Sequence, residues 1–194
     1  MKPPIATRLV ADRLVLRAPR ATDIPALRRL LSENGAHLRP WSPAAGAGHD
    51  PLSLVELTRS VTSQRRAWKE DRSYALLLES RSDGGLLGRV VLSEIARGPF
   101  QNAYLGYWID HRQQGKGLTT EAVAAAVRFA FDRAGLHRVQ AAVMPHNAAS
   151  RRVLAKLGFR EEGLAARYLA IAGKWEDHVL YAITREDDAV AGCP

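Results

Sequence analysis

The sequence has 194 residues, with 28 basic and 20 acidic side chains that give a formal net charge of +8. This length suits one domain with one core, and no segment approaches the roughly 20 consecutive apolar residues of a membrane span. The first residues lack the apolar stretch of a signal peptide, and Cys193 has no partner for a disulfide, so we expect a reducing, cytoplasmic location. The charge favours a polyanionic partner and does not choose among nucleic acid, the ribosome and a phosphorylated cofactor.

The first half of the chain predicts strands mixed with helices. Residues 8–19 form a strand in this interpretation, and residues 22–34 form a helix with Pro25 in its first turn. The Gly- and Pro-rich residues 35–51, which include Trp41, predict a mobile loop. A second helix over about 52–70 then leads to a β-hairpin, "SYALLLES" and "LLGRVVLSEI", and "NAYLGYWID" adds a further strand.

In the second half, apolar residues recur at three- and four-residue spacing from Leu118, which predicts a helix that Gly135 ends. "HRVQAAVM" alternates as a strand, "NAASRRVLAKL" is a short helix closed by Gly158, and "RYLAIAG" with "KWEDHVLYAIT" predicts a final hairpin about Ala172 and Gly173. We therefore expect one α/β or α+β domain over residues 1–194, with its core over about 8–186 and a short flexible C-terminal tail.

The segment "HRQQGKGLTTEA", residues 111–122, predicts an anion site between a strand and a helix. Free N–H groups at the helix start converge where Gly115 and Gly117 remove side-chain obstruction. A Walker A loop needs Lys followed by Ser or Thr after its second glycine, whereas Lys116 is followed by Gly117. A dinucleotide fingerprint needs a third glycine at Thr120, and no acidic ribose partner is evident at the usual distance.

Two segments resemble the cofactor motifs of the GCN5-related N-acetyltransferase (GNAT) superfamily. "RQQGKG", residues 112–117, resembles its pyrophosphate loop, and "MPHNAASRRVLAKLGF", residues 144–159, resembles its second cofactor motif. Within the superfamily, "RLVLR", "LRPW", "LGYWID", "MPHN" and "YLAIAGKWEDH" look most like ribosomal-protein-alanine N-acetyltransferases of the RimJ and RimL type, and RimJ more closely. The resemblance implies the single-domain acyl-CoA N-acyltransferase fold, with a mixed central sheet flanked by helices.

The same resemblance implies acetyl-CoA as the cosubstrate and no metal. Backbone N–H groups of the glycine loop would take the pyrophosphate, polar side chains of the loop would assist, and an asparagine would bind the pantetheine arm. The cofactor-binding residues expected on this basis are Ile109, Arg112, Gln113, Gly115, Lys116, Gly117, Leu118, Thr119 and Asn147.

The resemblance also suggests how the departing thiolate is protonated. Many members place a tyrosine on the helix after the asparagine, and that position is Leu154 here. In RimJ- and RimL-like enzymes the residue matching Ser150 is the proposed partner of the sulfur, so Ser150 is the expected catalytic residue. A serine hydroxyl is a poor acid in water, yet it is able to hydrogen-bond a developing thiolate.

The general base stays open. Related enzymes carry a glutamate at one of two positions, where this sequence has Ala142 and Arg167. The alternatives that remain are Glu94, Asp177, His178 and a water relay.

The absence of an evident base favours an α-amine over a lysine as acceptor, because a reference α-amine pKa of about 7.7–8.0 leaves part of it neutral near pH 7, unlike a lysine near 10.4. The resemblance makes a ribosomal protein that starts with Ala or Ser the expected acceptor. Trp41, Tyr168 and Trp175 are expected to line the acceptor channel.

Two alternative functions remain: an acetyltransferase for a small-molecule or peptide-antibiotic amine, and an assembly factor that binds CoA or the ribosome with little turnover. The oligomeric state is left open.

Overall fold

The computed structural model describes residues 2–44 and 50–187, so Cys193 and the expected C-terminal tail lie outside the described residues. The α-helices in this part of the chain are α1 (Ile24–Leu38), α2 (Leu54–Lys69), α3 (Leu118–Asp132) and α4 (Ala148–Lys156). The strands are β1 (Arg8–Val10), β2 (Leu14–Arg17), β3 (Tyr74–Ser80), β4 (Leu86–Ala96), β5 (Asn102–Ile109), β6 (Arg138–Val143), β7 (Arg160–Ile171) and β8 (Lys174–Thr184). No helix among these residues is long and apolar enough to cross a bilayer.

The eight strands form one mixed sheet in the order β1-β2-β3-β4-β5-β6-β8-β7. All neighbours are antiparallel except β5 and β6, which are parallel and pair only over Asn102–Tyr104 with Arg138–Gln140. β5 continues unpaired on this side to Ile109, and β6 continues to Val143. The two strands therefore separate toward their C-terminal ends, and the sheet has a V-shaped opening there.

Helices cover both faces of the sheet, as the fold expectation required. On one face, the alanine-rich α3 packs close to the strands, with Ala122, Ala126 and Ala130 fully buried, and Leu154 of α4 joins the same core. Small side chains allow the helix backbone to approach the sheet closely. On the other face, α1 and α2 form a smaller apolar layer over β3, made of Leu27, Val61 and Leu77.

Two expectations about the N-terminal third are wrong. Residues 8–19 form a hairpin rather than one strand, because the polar pair Asp12-Arg13 makes a turn that is closed by the Ala11 N–H donating to the Leu14 carbonyl at 2.9 Å. Helix α1 continues to Leu38, and a 3₁₀ turn over Arg39–Trp41 follows it, so Trp41 does not lie in a mobile loop. Residues 45–49 of that expected loop lie outside the described residues.

The longer α1 is explained by a buried anchor near its C-terminal end. Asn34 is fully buried, and its Oδ1 accepts the His111 backbone N–H at 2.8 Å while its Nδ2 donates to the Leu30 carbonyl at 2.9 Å. This contact holds the last turns of α1 against the start of the glycine loop, so tertiary contact outweighs the low helix propensity of Gly35. The end of α1 thus becomes part of the site.

The start of α1 is held to β2 by a buried ion pair. The Arg17 guanidinium donates to both carboxylate oxygens of Asp23, at 2.8 and 2.9 Å, and to Glu79 at 2.6 Å. Burial raises the pKa of Asp23, but the hydrogen bonds from Arg17 and from the Arg20 N–H lower it more, and the net pKa lies below its ordinary value. The ion pair fixes α1 relative to the sheet.

Candidate active site

A cleft of about 590 Å³ opens where β5 and β6 separate. Four parts of the chain line it: the end of α1 with the turn after it, the end of β5, the glycine loop with the first turn of α3, and α4 from its N-cap Asn147 to Lys156. The lining side chains are predominantly polar or aromatic, and none of those in the described residues is an aspartate or a glutamate. This lining suits an elongated anionic ligand together with a second, neutral group.

The glycine loop forms an anion cradle at the N-terminus of α3. Gly115 and Gly117 have φ angles of 74° and 78°, in the left-handed region that favours glycine, and Gly117 is the N-cap residue of α3. The N–H groups of the helix's first turn have no acceptor within the helix, and the helix dipole places partial positive charge at this end. The cradle therefore fits a phosphate or pyrophosphate.

Two contacts from outside the loop brace this cradle. Arg13, in the β1–β2 turn, donates through its backbone N–H and its Nε to the Glu121 carboxylate at 2.7 and 2.8 Å, and through Nη1 to the Lys116 carbonyl at 2.8 Å. On the other side, Asn34 accepts the His111 N–H at 2.8 Å. The loop is thus held between the hairpin and α1, which orders its N–H groups in advance of a ligand.

Fewer polar side chains of the glycine loop line the cleft than expected. The guanidinium of Arg112 pairs with Asp110 at 2.6 Å and with Glu33, and this pairing lowers the pKa of Asp110. Lys116 Nζ donates to Gln113 Oε1 at 2.9 Å. Gln113 lines the cleft, whereas Arg112 and Lys116 do not, so a role for these two cations at the phosphates stays a prediction.

Ser150 lies in the first turn of α4, and its hydroxyl meets a phenol from another element. The Oγ of Ser150 is 2.8 Å from the Tyr107 OH, which also donates to the Ser150 carbonyl at 3.2 Å. Burial raises the pKa of Tyr107 to about 12, against the lowering effect of the Ser150 hydrogen bond. The phenol therefore stays protonated at neutral pH and is available as a donor.

The other expected cofactor residues cluster around the same cleft. Ile109 and Thr119 line it, and Leu118 is buried beneath the first turn of α3. Asn147 also lines it, but its Oδ1 accepts the Ser150 N–H at 3.1 Å, so the side chain caps α4. A bond to a pantetheine arm stays a prediction for Asn147, with capping as an additional role.

Of the three aromatic residues expected around the acceptor, one lines the cleft. Trp41 does so, and its ring centroid lies 5.4 Å from that of His146. Tyr168 is half-buried against His178, with ring centroids 5.8 Å apart, and Trp175 is 67% exposed on β8. The β7–β8 turn reaches the end of α1 through the Ala172 N–H, which donates to the Ser42 carbonyl at 3.0 Å.

The candidate bases lie away from the cleft lining. Glu94 is exposed at a bulge of β4, with a φ angle of 50°. Asp177 Oδ1 accepts the Arg167 N–H at 2.7 Å, where it stabilises a bulge of β7. His178 is buried, and its Nδ1 lies 3.0 Å from the Glu176 carbonyl. A water relay requires none of these side chains in the cleft. Among residues 2–44 and 50–187, no group of three or more His, Cys, Asp or Glu side chains is placed to hold a metal.

A model of the acetyltransferase (GNAT) domain matches residues 13–160. The chain belongs to the GNAT acetyltransferase family. The [ribosomal protein uS5]-alanine N-acetyltransferase of Escherichia coli K12 is 37% identical over 180 residues, which cover 93% of this chain and 92% of the relative. The probable N-acetyltransferase YjcK of Bacillus subtilis is 42% identical over 176 residues, covering 90% and 96%.

Solved structures of GNAT enzymes agree with this fold over most of its length. Mycobacterium smegmatis RimJ in complex with CoA-disulfide matches with a TM-score of 0.91 and 32% identity, covering 98% of this chain and 95% of that one. The ribosomal-protein-S5-alanine acetyltransferase from Vibrio fischeri matches with a TM-score of 0.86 and 30% identity, covering 93% and 98%. The predicted fold, the resemblance to RimJ, the enzyme class of N-acetyltransferase and acetyl-CoA as cosubstrate are confirmed.

Sequence reasoning missed several residues that line this GNAT site, among them Tyr107 and His37. Tyr107 alternates with Leu105 and Ile109 along β5, and this period of two placed it on the face that α4 covers. His37 lines the cleft from α1, with its Nε2 3.0 Å from Gln114 Nε2, and was missed because the helix was expected to end earlier.

Proposed function

We propose that this enzyme transfers acetyl from acetyl-CoA to the N-terminal α-amine of a protein, and that the acceptor is a ribosomal protein that starts with Ala or Ser. The observation that carries the proposal is that one cleft joins an anion cradle at Gly115 and Gly117 to a hydrogen-bonded hydroxyl pair, Ser150 and Tyr107. The relatives named for acetylation of a ribosomal protein's alanine, which align over nearly the whole chain, support the choice of acceptor.

The cradle fits the pyrophosphate of CoA through its backbone. Gly115 and Gly117 take up left-handed φ angles without strain, and the α3 N-terminus contributes N–H donors and a positive dipole end. Arg13 and Asn34 hold the loop from either side, so little ordering is needed on binding. When bound, acetyl-CoA supplies a thioester carbonyl for attack by the amine and a thiolate as leaving group.

The Ser150–Tyr107 pair supplies the proton that the leaving thiolate needs. Ser150 Oγ gives its proton to the thiolate, and Tyr107, 2.8 Å from that oxygen, either holds the hydroxyl in orientation or passes its own proton to it. In either case the proton that the amine loses returns to the pair through water, so that the amine's proton ends on the thiol. The buried phenol, with its pKa raised to about 12, carries its proton throughout the neutral range. Tyr107 thus provides from β5 the phenol that many relatives carry at the position of Leu154, which is here part of the core.

The attacking amine needs only a weak base. Because no carboxylate lies among the described residues of the cleft lining, the proposed acceptor reaches the site already neutral or loses its proton to a water chain. An α-amine with a pKa of about 8 meets this requirement near neutral pH far better than a lysine does. The predicted preference for an N-terminus therefore follows from the lining.

The basic surface supports an acceptor presented on the ribosome in the cytoplasm. Arg8, Arg17, Arg20 and Arg65 contribute to a second depression of about 410 Å³, beside β1 and β2 and away from the cleft. Asp23 and Glu79 pair with two of these arginines, so the depression keeps a positive balance. With a chain charge of +8, association with ribosomal RNA phosphates is proposed through this surface and should weaken steeply with salt.

A peptide assay tests the proposed function. The enzyme and acetyl-CoA are incubated with peptides that begin Ala, Ser or Met, each with an internal lysine, while free thiol is followed and the modified position is mapped by mass spectrometry. Acetyl on the α-amine of the Ala and Ser peptides is the expected result. Acetyl on the lysine, or thiol release with none of the peptides despite CoA binding, would overturn it.

A further inference from the structure

Arg89 lies in the middle of β4, on the sheet face opposite α3. In the sheet register it stands between Leu77 of β3 and Trp108 of β5. Its neighbour Val90 is fully buried in the α3 core, so alternation along the strand directs Arg89 to the α1 side. Leu77 lies beneath the apolar layer of α1 and α2, whereas Trp108 lines the cleft. Arg89 is not itself among the residues that line the cleft, but it lies beside Trp108 in the sheet, at the border between that apolar layer and the cleft.

This guanidinium has no counter-charge in the described part of the chain. Four other arginines that are not exposed, Arg17, Arg65, Arg138 and Arg151, are hydrogen-bonded to protein groups. Arg89 forms no hydrogen bond or ion pair with any residue in 2–44 or 50–187. Burial alone acts on it and lowers its pKa. Keeping a charge here without a partner costs stability, which a stable fold tolerates where the group has a ligand to bind.

We propose that Arg89 binds a carboxylate of the acceptor, an Asp or Glu side chain within the first few residues after the acetylated amine. The inference rests on the proposed function and adds a sequence preference to it. The cradle and the Ser150–Tyr107 pair occupy the α3 and α4 side of the cleft, which leaves the α1 side, with Trp108 and Trp41, to the acceptor. Arg89 adjoins Trp108 on that side.

The chemistry of the lining favours a carboxylate over other acceptor groups. A guanidinium offers a planar fork of donors that matches a carboxylate in a bidentate pair. No aspartate or glutamate among the described residues of the lining competes for it or repels an acidic side chain. An acceptor with a lysine near its amine would meet uncompensated like charge at the same place.

The test compares matched peptides on matched variants. Peptides that begin with Ala carry Glu, or Gln as the neutral counterpart, at position 2, 3, 4 or 5, and kcat/KM is measured for each pair with the wild-type enzyme, Arg89→Gln, Arg89→Lys and Arg133→Gln. Arg133 is an exposed arginine that follows α3, outside the cleft lining, and controls for loss of one positive charge. Thermal melting and CoA binding of each variant report whether it is folded.

The wild-type enzyme is expected to favour Glu over Gln about tenfold at one of these positions, mainly through KM. Arg89→Gln should reduce that ratio to about one, Arg89→Lys should keep part of it, and Arg133→Gln should keep all of it. The preference should also fall with rising salt, as a charge pair requires. A wild-type ratio near one at every position, or an unchanged ratio in folded Arg89→Gln, would overturn the inference and leave the proposed function intact. Acetylation of no peptide α-amine would overturn both.

Discussion

At the scale of single residues, the proposed protonation of the thiolate depends on the hydrogen bond between Tyr107 and Ser150. We predict that Tyr107→Phe lowers kcat about tenfold or more while the Kd for CoA changes little, because the phenol acts on the reacting end and not on the cradle. Steady-state kinetics with calorimetric CoA binding measure the two effects separately. An equal loss in CoA affinity would indicate a packing role instead.

Ser150→Ala tests the same pair from its other member. Removal of the hydroxyl should lower kcat about a hundredfold, and the double variant with Tyr107→Phe should be no slower than Ser150→Ala alone, because the phenol acts through the serine. Independent, multiplied losses in the double variant would contradict a relay between the two hydroxyls.

No carboxylate lies among the described residues of the cleft lining, and this composition predicts the pH dependence of the reaction. The kcat/KM for a peptide should rise with pH through an apparent pKa near 8, the value of the free α-amine, with no inflection between pH 4 and 6. The phenol adds no alkaline limit below about pH 10, since the pKa of Tyr107 is raised to about 12. The check is a pH–rate profile with two peptides of different amine pKa, and an inflection that does not move with the peptide would indicate an enzyme base.

Residue-level sequence reasoning placed much of the cleft but not the contacts within it. Gly115, Gly117, Thr119, Asn147 and Ser150 all line the cleft, because a glycine loop and a capped helix are local features. Contacts between residues that are distant in sequence could not be predicted from local patterns: the Arg13–Glu121 pair spans 108 residues and the Tyr107–Ser150 pair spans 43. Arg112 was expected in the site from its motif, but it pairs with Asp110 and Glu33 and does not line the cleft.

At the scale of elements, the two ends of α3 provide a matched test of the cradle. Gly115 and Gly135 both have left-handed φ angles, 74° and 62°, and a Cβ added at either would meet nothing within 4 Å. Gly115→Ala and Gly135→Ala should each cost about 1 kcal/mol and lower Tm by about 2–4 °C. Only Gly115→Ala should weaken CoA binding, by about tenfold, because its Cβ enters the cleft. Equal CoA affinities in the two variants would contradict an anion cradle at Gly115.

The Arg17–Asp23 pair should govern acid stability. Asp23→Asn removes one carboxylate from a buried guanidinium and should lower the free energy of unfolding by about 3 kcal/mol at pH 7. The pKa of Asp23 is lowered in the folded state, so its contribution is complete above its unfolded value near 3.8 and is lost as pH falls below it. Urea unfolding of both proteins should therefore give a difference that shrinks below pH 4, and a constant difference would count against the ion pair as the cause.

Elements with a strong local pattern were predicted best. The apolar spacing from Leu118 and the stop at Gly135 gave α3 almost to the residue. The end of α1 was missed because a buried contact of Asn34 with the glycine loop, not propensity, decides it. β7 begins at Arg160, earlier than expected, since its pairing with β8 crosses bulges that interrupt the alternating pattern.

At the scale of the whole molecule, the cleft depends on the separation of two parallel strands, β5 and β6, in an otherwise antiparallel sheet. A mixture of strands and helices indicated the fold class, but strand order is a long-range property that the periodicity of single segments does not contain. The GNAT fold places the α3 cradle, the α4 hydroxyl and the α1 end around that one opening, and this arrangement supports transfer between CoA and an amine.

The most direct test uses unacetylated ribosomal proteins as acceptors. The enzyme is incubated with isotopically labelled acetyl-CoA and purified ribosomal proteins, both free and assembled in ribosomes, and the labelled positions are mapped by mass spectrometry, with Ser150→Ala as the slow control. We predict label on the α-amine of one or a few proteins that begin with Ala or Ser, and labelling about a hundredfold slower with Ser150→Ala. Label confined to lysine side chains, or transfer to small amines with none to any ribosomal protein, would contradict it.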